Sequence, residues 1–363
     1  MNDKTVGISS EEHITVTNTK KESLRIQLDQ SATVRSNIKR YYIYVVLVLI
    51  VFVFSVVKLD KFSFSEFFDR GHFLSPDSVI NMLRSAVPIL TLSGAFTLLM
   101  ISGYIDLSVG SAMSLNAVVF SLMILNGFSF LPAFIITLIL GCGLGFINGY
   151  LVMKLRITPV IATLVTLSLF KGVALLIVPD GLSAIKGSAD KVMPAWINDY
   201  ARKDVLFGLP WAFWVAVLVI VVLVVVQRRT LLGKYAAAIG GNRLAAELSG
   251  INAVRMVWLL YIIVGFFAAL AGMARASYMS LGDPLSGDQM ELACIIAVLL
   301  GGTAFSGGEG SVAKTMVGAL IIISVTTGLM TVIPAYWQTV AMGSVLLAAV
   351  ALNHLLVRDK VKA

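Results

Sequence analysis

About ten apolar blocks of membrane length follow one another after the first forty residues, and they constrain the fold of this chain more than any other feature. The blocks are Tyr41–Val57, Val79–Ser102, Leu107–Leu125, Leu131–Met153, Thr158–Val178, Leu206–Val226, Val257–Ala276, Leu292–Phe305, Thr315–Ile333 and Ala335–Asn353. A segment of about 20 apolar residues crosses a hydrocarbon core of about 30 Å as a helix, because a helix pairs its own backbone polar groups where no water can. The expected fold class is therefore all-α, a polytopic membrane protein of about ten transmembrane helices. The eighth block is short and the third is polar at its start, so a count of eight or nine with re-entrant pieces also fits.

The composition narrows the chemistry. The chain is 58% hydrophobic and 13% charged, against about 25% charged in an average soluble domain. A formal charge of +8 could suggest nucleic acid, but the basic residues are not interleaved with aromatics on a polar face. Basic inner loops of a membrane protein explain the excess, and no nucleic-acid partner is expected. Cys142 and Cys294 lie inside apolar stretches, and His13, His72 and His354 are scattered. No metal-ligand spacing and no nucleophile–base constellation is visible, so neither a catalytic nor a metal site is expected.

Three regions follow. Residues 1–40 form a polar tail with seven basic and five acidic residues, too long for the charged start of a signal peptide, and no small-residue cleavage site follows the first block. Residues 41–353 form the membrane domain, and residues 354–363 a second tail. Lys and Arg concentrate in the tail, at Lys154 and Arg156, in residues 227–256, at Lys314, and at Arg358, Lys360 and Lys362. The positive-inside bias puts those segments, and both termini, in the cytoplasm. Asn148-Gly149 before Pro159 and Thr163 loosely echoes Thr327-Gly328 before Pro334 and Thr339, leaving an internal duplication open.

The thirty residues Gln227–Met256 are a polar island with five basic residues and one acid between two apolar blocks. Asn242 suits a helix N-cap, Arg243–Ser249 is helix-compatible, and Gly250 suits a left-handed end. Leu244, Leu248 and Ile251 fall on one face of a stub of about two turns. So short a helix is marginal alone and needs a partner surface. The plain alternative is an inner loop lying on lipid headgroups.

Two other segments stand out. In Ser102–Ser111, Asp106 lies between apolar runs, and Gly103 and Gly110 permit non-helical backbone. Asp106 is expected either to line or brace a broken helix, or to cap the third block. In Leu299–Ser311 five glycines suggest a close-packed inner turn, since no Gly-x-x-x-x-Gly-Lys string exists to cradle phosphate. Asn116, Asn148, Thr163, Thr166 and Gln338 could meet a hydroxylated solute or simply bond between helices. Arg84, Lys171 and Arg275 can snorkel, and Glu291 is an outer-mouth residue or a helix-start acid.

Taken in order, Tyr104-Ile-Asp-Leu-Ser-Val-Gly-Ser111, Asn148-Gly-x-Leu151, Thr158-Pro-x-Ile-Ala-Thr163, Ala238-Ile-Gly-Gly-Asn-Arg-Leu-Ala-Ala246, Ser249-Gly-Ile251, Glu291-Leu-Ala293 and Leu300-Gly-Gly-Thr303 resemble the permease subunits of bacterial monosaccharide ABC importers, the ribose, xylose and galactose group. The resemblance runs from about Val79 to Asn353. It implies a type II-like importer permease in the cytoplasmic (inner) membrane, paired with an identical or related copy. It also implies cytoplasmic ATPase subunits that bind the ATP, with no cofactor on this chain, and an extracytoplasmic sugar-binding protein. Gly240, Gly241, Asn242, Arg243, Ala245, Ala246, Gly250 and Ile251 would form the segment that docks on the ATPase. Asp106, Asn116, Asn148, Thr163 and Glu291 are the pathway candidates. Tyr104 stands where a second glycine is common, Lys314 where a small residue is common, and the long tail is unusual; these leave the sugar open. The competing reading is a secondary transporter driven by protons or sodium, with Asp106 or Glu291 titrating. A membrane scaffold without solute flux is a third.

Overall fold

The computed structural model describes residues 42–56, 73–178 and 193–332, with isolated helical positions at 337, 340, 343–345 and 347. Both tails and most of the block Ala335–Asn353 lie outside the described residues. The chain groups into units 1–46 and 47–363; the first contributes only the start of one described helix, and the bundle belongs to the second. Twelve helices are described: α1 Tyr42–Val56, α2 Pro76–Ile101, α3 Val109–Leu125, α4 Phe130–Met153, α5 Pro159–Ile177, α6 Ala195–Arg202, α7 Trp211–Arg229, α8 Leu231–Gly241, α9 Arg243–Leu248, α10 Ala253–Met279, α11 Met290–Leu300 and α12 Val312–Val332. Among the described residues the only β element is an isolated bridge between Leu206 and Leu209.

Local chemistry sets the helix starts. Ser75 accepts from the amide of Ser78 at the head of α2, and Pro76 supplies a φ already suited to a first turn. Asn252 does the same for α10 by accepting from Arg255 N at 2.9 Å. The expected block Leu206–Val226 begins later, at Trp211, because Leu206–Leu209 closes a tight turn with Phe207 and Gly208 at positive φ before Pro210. α6 was not foreseen; it is a short amphipathic helix preceding that turn.

Helix α2 is the axis of the bundle. Every residue from Ala86 to Ile101 is buried, and α7, α10, α11 and α12 pack around it. α4 and α10 meet along a glycine spine. A side chain at Gly141 or Gly265 would overlap the other's carbonyl, and one at Gly145 would overlap the carbonyl of Tyr261. Small residues four apart let two backbones approach where lipid offers no hydrophobic drive between helices. α7 is the contrary case: only 17% of its most apolar window is buried, so its Leu218 and Val222 are dressed for lipid. Among the described residues six helices are long and apolar enough to cross a membrane, with α1, α3 and α11 as shorter apolar helices. The protein is a multi-pass helical membrane protein.

Two of the shorter helices begin inside the bundle. α3 is preceded by the non-helical stretch 102–108, whose Ile105 carbonyl accepts from Tyr261 Oη of α10 at 2.9 Å. α11 has 11 residues, about 16 Å or half a hydrocarbon core. The segment from Ser280 to Gln289 supplies the other half, running along α3 from Ser121, beside Gly282, down to Gly110, beside Gly287. At that meeting the amide of Gly287 donates to Ser114 Oγ at 2.8 Å, and a side chain on Gly110 or Gly287 would overlap the carbonyl of the other. Non-helical backbone at such depth is tolerated only inside protein or beside a wet cavity. The expected block Leu292–Phe305 is therefore corrected: the helix stops at Leu300, and Gly301 to Gly310 folds back on the end of α2.

Candidate coupling stub and pathway residues

Helices α8 and α9 lie at the end of the bundle where α2 terminates. Asn242 Oδ1 accepts from the amide of Ala245 at 3.0 Å, which satisfies a first-turn donor and starts α9. Gly250 has φ +86° just beyond Ser249, a conformation with no steric penalty only for glycine. The stub therefore has the limits the sequence suggested. Gly240 and Gly241 complete α8. Gly240 lies against the carbonyl of Ile101 and the amide of Gly308, and Gly308 N donates to that same carbonyl at 2.7 Å. The glycine-rich loop, the end of α2 and the end of α8 thus touch backbone to backbone.

The side chains of α9 divide by exposure. Ala246 is buried against the bundle, while Arg243, Leu244, Ala245, Glu247 and Leu248 are exposed. Leu244 and Leu248 are 67% and 81% exposed, an apolar pair one turn apart that faces away from the chain; Ile251 is partly buried. Arg243 pairs with Glu247 at 2.9 Å and donates to Tyr104 Oη at 2.8 Å. Tyr104 belongs to the non-helical stretch before α3, so the stub is joined to that stretch directly.

Two residues on, Asp106 is 2% exposed. Its Oδ1 accepts from the amide and hydroxyl of Ser108 at 2.8 and 2.7 Å, and its Oδ2 from Asn148 Nδ2 at 3.0 Å. Asn148 Nδ2 also reaches Ser108 Oγ at 2.7 Å. The capping expectation for Asp106 is corrected: Ser108 is the N-cap residue of α3, and Asp106 binds ahead of the first turn, bracing the stretch to α4. Asn116 and Thr163 are fully buried and bond to the carbonyls of Ala112 and Pro159 within their own helices. Thr166 does the same with the carbonyl of Thr163 at 3.3 Å. The structure therefore brings Asp106 and Asn148 together and leaves Asn116 and Thr163 as separate interior positions.

Glu291 sits in the first turn of α11, with a carboxylate oxygen pressed on Gly110 at the first turn of α3. Two helix N-termini converge there, and the partial positive charge of each favours a carboxylate. Beside it Lys171 of α5 donates to both oxygens of Asp288 at 2.9 and 2.8 Å. Of the other two residues expected to snorkel, Arg84 pairs with Asp204 and Arg275 is half-buried. Asp288 was missed by sequence reasoning, because its partner Lys171 lies on another helix, 117 positions away. Among the described residues no group of three or more His, Cys, Asp or Glu side chains gathers into a metal site.

A family model described as the permease component of the branched-chain amino acid transport system matches residues 78–350. The chain belongs to this permease family. Among curated relatives, the ribose import permease protein of Bacillus subtilis is 35% identical over 283 residues, covering 78% of this permease and 86% of the relative. The ribose import permease protein of Haemophilus influenzae is 33% identical over 285 residues, covering 78% and 87%. The D-allose transport system permease protein of Escherichia coli is 33% identical over 288 residues, covering 78% and 86%. Each coverage takes in most of the bundle, so the permease shares with these relatives a membrane component of a transport system.

Proposed function

We propose that this permease is the membrane-spanning subunit of an ATP-driven sugar importer of the bacterial cytoplasmic membrane. Two permease copies would enclose the pathway, with ATPase subunits beneath them and a sugar-binding protein delivering solute from outside. The stub end of the bundle is then the cytoplasmic end, as the basic residues of Gln227–Met256 require. The observation that carries the coupling role is the outward-facing pair Leu244 and Leu248 on a capped helix too short to persist alone. An exposed apolar pair on such a helix is a docking knob for a groove in a partner. Gly240, Gly241, Asn242, Arg243, Ala245, Ala246, Gly250 and Ile251 shape and seat that knob.

In the mechanism, closure of the ATPase pair moves α9, and Arg243 carries the displacement to Tyr104 and the stretch before α3. Asp106 and Asn148 keep that stretch stiff. Asn116 and Thr163 hold the interior, and Glu291, at the meeting of α3 and α11, faces the solute route. The proton-driven alternative loses ground at Asp106, which is 2% exposed and accepts three hydrogen bonds.

Reconstituted uptake tests the reading. Proteoliposomes holding this permease, its ATPase and its binding protein should accumulate one member of a panel of D-ribose, D-allose, L-arabinose and D-fructose only when the ATPase can reach ATP. Uptake by the permease alone under a proton gradient would refute it.

A further inference from the structure

A cavity of about 880 Å³ opens at the end of the bundle away from α9, where α10 finishes and α4 and α7 begin. Phe130 and Phe134 of α4, Trp211 and Val215 of α7, and Leu270 and Met273 of α10 line it. Cavities of about 300–1,000 Å³ bury whole small ligands, and an apolar lining offers water too few partners to fill this one. Its wall on α7 does not stop at the mouth. Trp211, Val215, Leu218, Val222 and Val225 recur every three or four residues, and all five are exposed. Leu218 and Val222 belong to the lipid-facing skin of α7, so the cavity is a recess of that skin.

The rim is polar and belongs to α6. Trp196, Tyr200 and Lys203 fall at i, i+4 and i+7, on one face, and all three line the cavity. Trp196 and Trp211 are both exposed there, and tryptophan is the residue type enriched at headgroup level. Tyr200 is half-buried, and its hydroxyl has no hydrogen-bond partner among the described residues. Burial pushes its pKa up to about 12, so it stays a donor. Lys203 meets Asp199 at only 3.8 Å, and both side chains are more than half exposed, so neither charge is fully engaged.

We infer that this recess seats a phospholipid of the outer leaflet, with one acyl chain in the cavity and a zwitterionic, ammonium-bearing headgroup, as in phosphatidylethanolamine, on α6. Lys203 and Tyr200 donate to the phosphate, and Asp199 accepts from the ammonium. A cation and an anion side by side complement a headgroup that carries both signs. A headgroup of net negative charge would leave Asp199 opposed to it. Asp204, the other acid on the rim, is already paired with Arg84. The import reading enters only in naming the outer leaflet, as the end away from α9.

The test uses the permease assembled with its ATPase and binding protein in nanodiscs of equal parts phosphatidylethanolamine and phosphatidylglycerol. A trace of the phosphatidylethanolamine carries a diazirine at the end of one acyl chain. Irradiation should place adducts on Leu270 and Met273 at the cavity floor. Adducts confined to Leu131, Ile139 and Leu218 on the outer skin would overturn the seat. A floor that labels only when the binding protein is left out belongs to that partner and would overturn it too. Val215→Trp fills the recess from an exposed position, so it should abolish floor labelling with the unfolding temperature unchanged. In mild detergent, native mass spectrometry should show phosphatidylethanolamine retained over phosphatidylglycerol. Lys203→Glu should cut that retention by about tenfold, the loss of a hydrogen bond to a charged group. Asp199→Lys should turn the preference toward phosphatidylglycerol. Equal retention of the two lipids by the parent would overturn the headgroup assignment. None of these readouts uses sugar, so failure of the lipid seat and failure of the importer are told apart.

Discussion

The guanidinium of Arg243 donates to the hydroxyl of Tyr104 at 2.8 Å, joining the exposed stub α9 to the non-helical stretch that leads into α3. Tyr104 is two residues from Asp106 and next to Ile105, whose carbonyl is held by Tyr261. A push on α9 therefore has one short route into the interior of the bundle. Removing the hydroxyl by Tyr104→Phe keeps the ring and the fold but cuts that link. Sugar taken up per ATP hydrolysed should fall by about fivefold, roughly the 1 kcal/mol worth of a partly exposed hydrogen bond, while binding of the ATPase subunits is retained. An unchanged ratio would show that coupling passes elsewhere.

Leu244 and Leu248 are exposed, so charge there should not unfold the permease. Leu248→Glu should abolish co-purification with the ATPase subunits and leave thermal unfolding of the permease in detergent unchanged. Ala246→Glu offers the contrast, since Ala246 is buried against the bundle. It should lower the unfolding temperature as well as block assembly. Normal assembly of Leu248→Glu would move the docking surface off this face.

Asp106 accepts from Ser108 at Oδ1 and from Asn148 at Oδ2 inside the bundle, and Asp106→Asn turns one of these oxygens into an NH2 group, so either Asn148 Nδ2 or the two Ser108 donors then face a donor. The variant should lose about 2–3 kcal/mol, read as a drop in unfolding temperature and a loss of assembled protein. Asn148→Ala should lose less, because Ser108 still serves the carboxylate. Equal stability of Asp106→Asn and the parent would remove the bracing role.

Glycine packing gives a paired comparison. Gly110→Ala should destabilise sharply, because the new methyl group has no room beside Gly287 and Glu291. Gly143→Ala in α4 meets nothing within 4 Å and should stabilise by about 0.5–1 kcal/mol through helix propensity alone. Thermal unfolding of the two variants side by side reads both signs.

Much of this architecture is legible in the sequence because lipid demands long apolar helices, and those announce themselves by length. The stub was legible too: Asn242 and Gly250 each mark a helix end by a local rule. Asp106 was legible as a brace or a cap but its partner was not, since Asn148 lies on another helix and pairing across a bundle leaves no trace in spacing. The inward turn of Ser280–Gln289 was hidden for the same reason. Nothing in its spacing shows that Gly287 packs on Gly110 of α3. Lys171 read as a snorkelling residue because snorkelling needs no partner; Asp288 supplied one from 117 positions away.

The central claim is that a partner ATPase acts on this permease through α9. A photoreactive benzoyl-phenylalanine at position 248, irradiated in the assembled complex, tests it most directly. The account expects a covalent adduct with the ATPase subunit whose yield changes between nucleotide-free and ATP-bound states. An adduct with the extracytoplasmic binding protein instead, or none with the ATPase in either state, would contradict it.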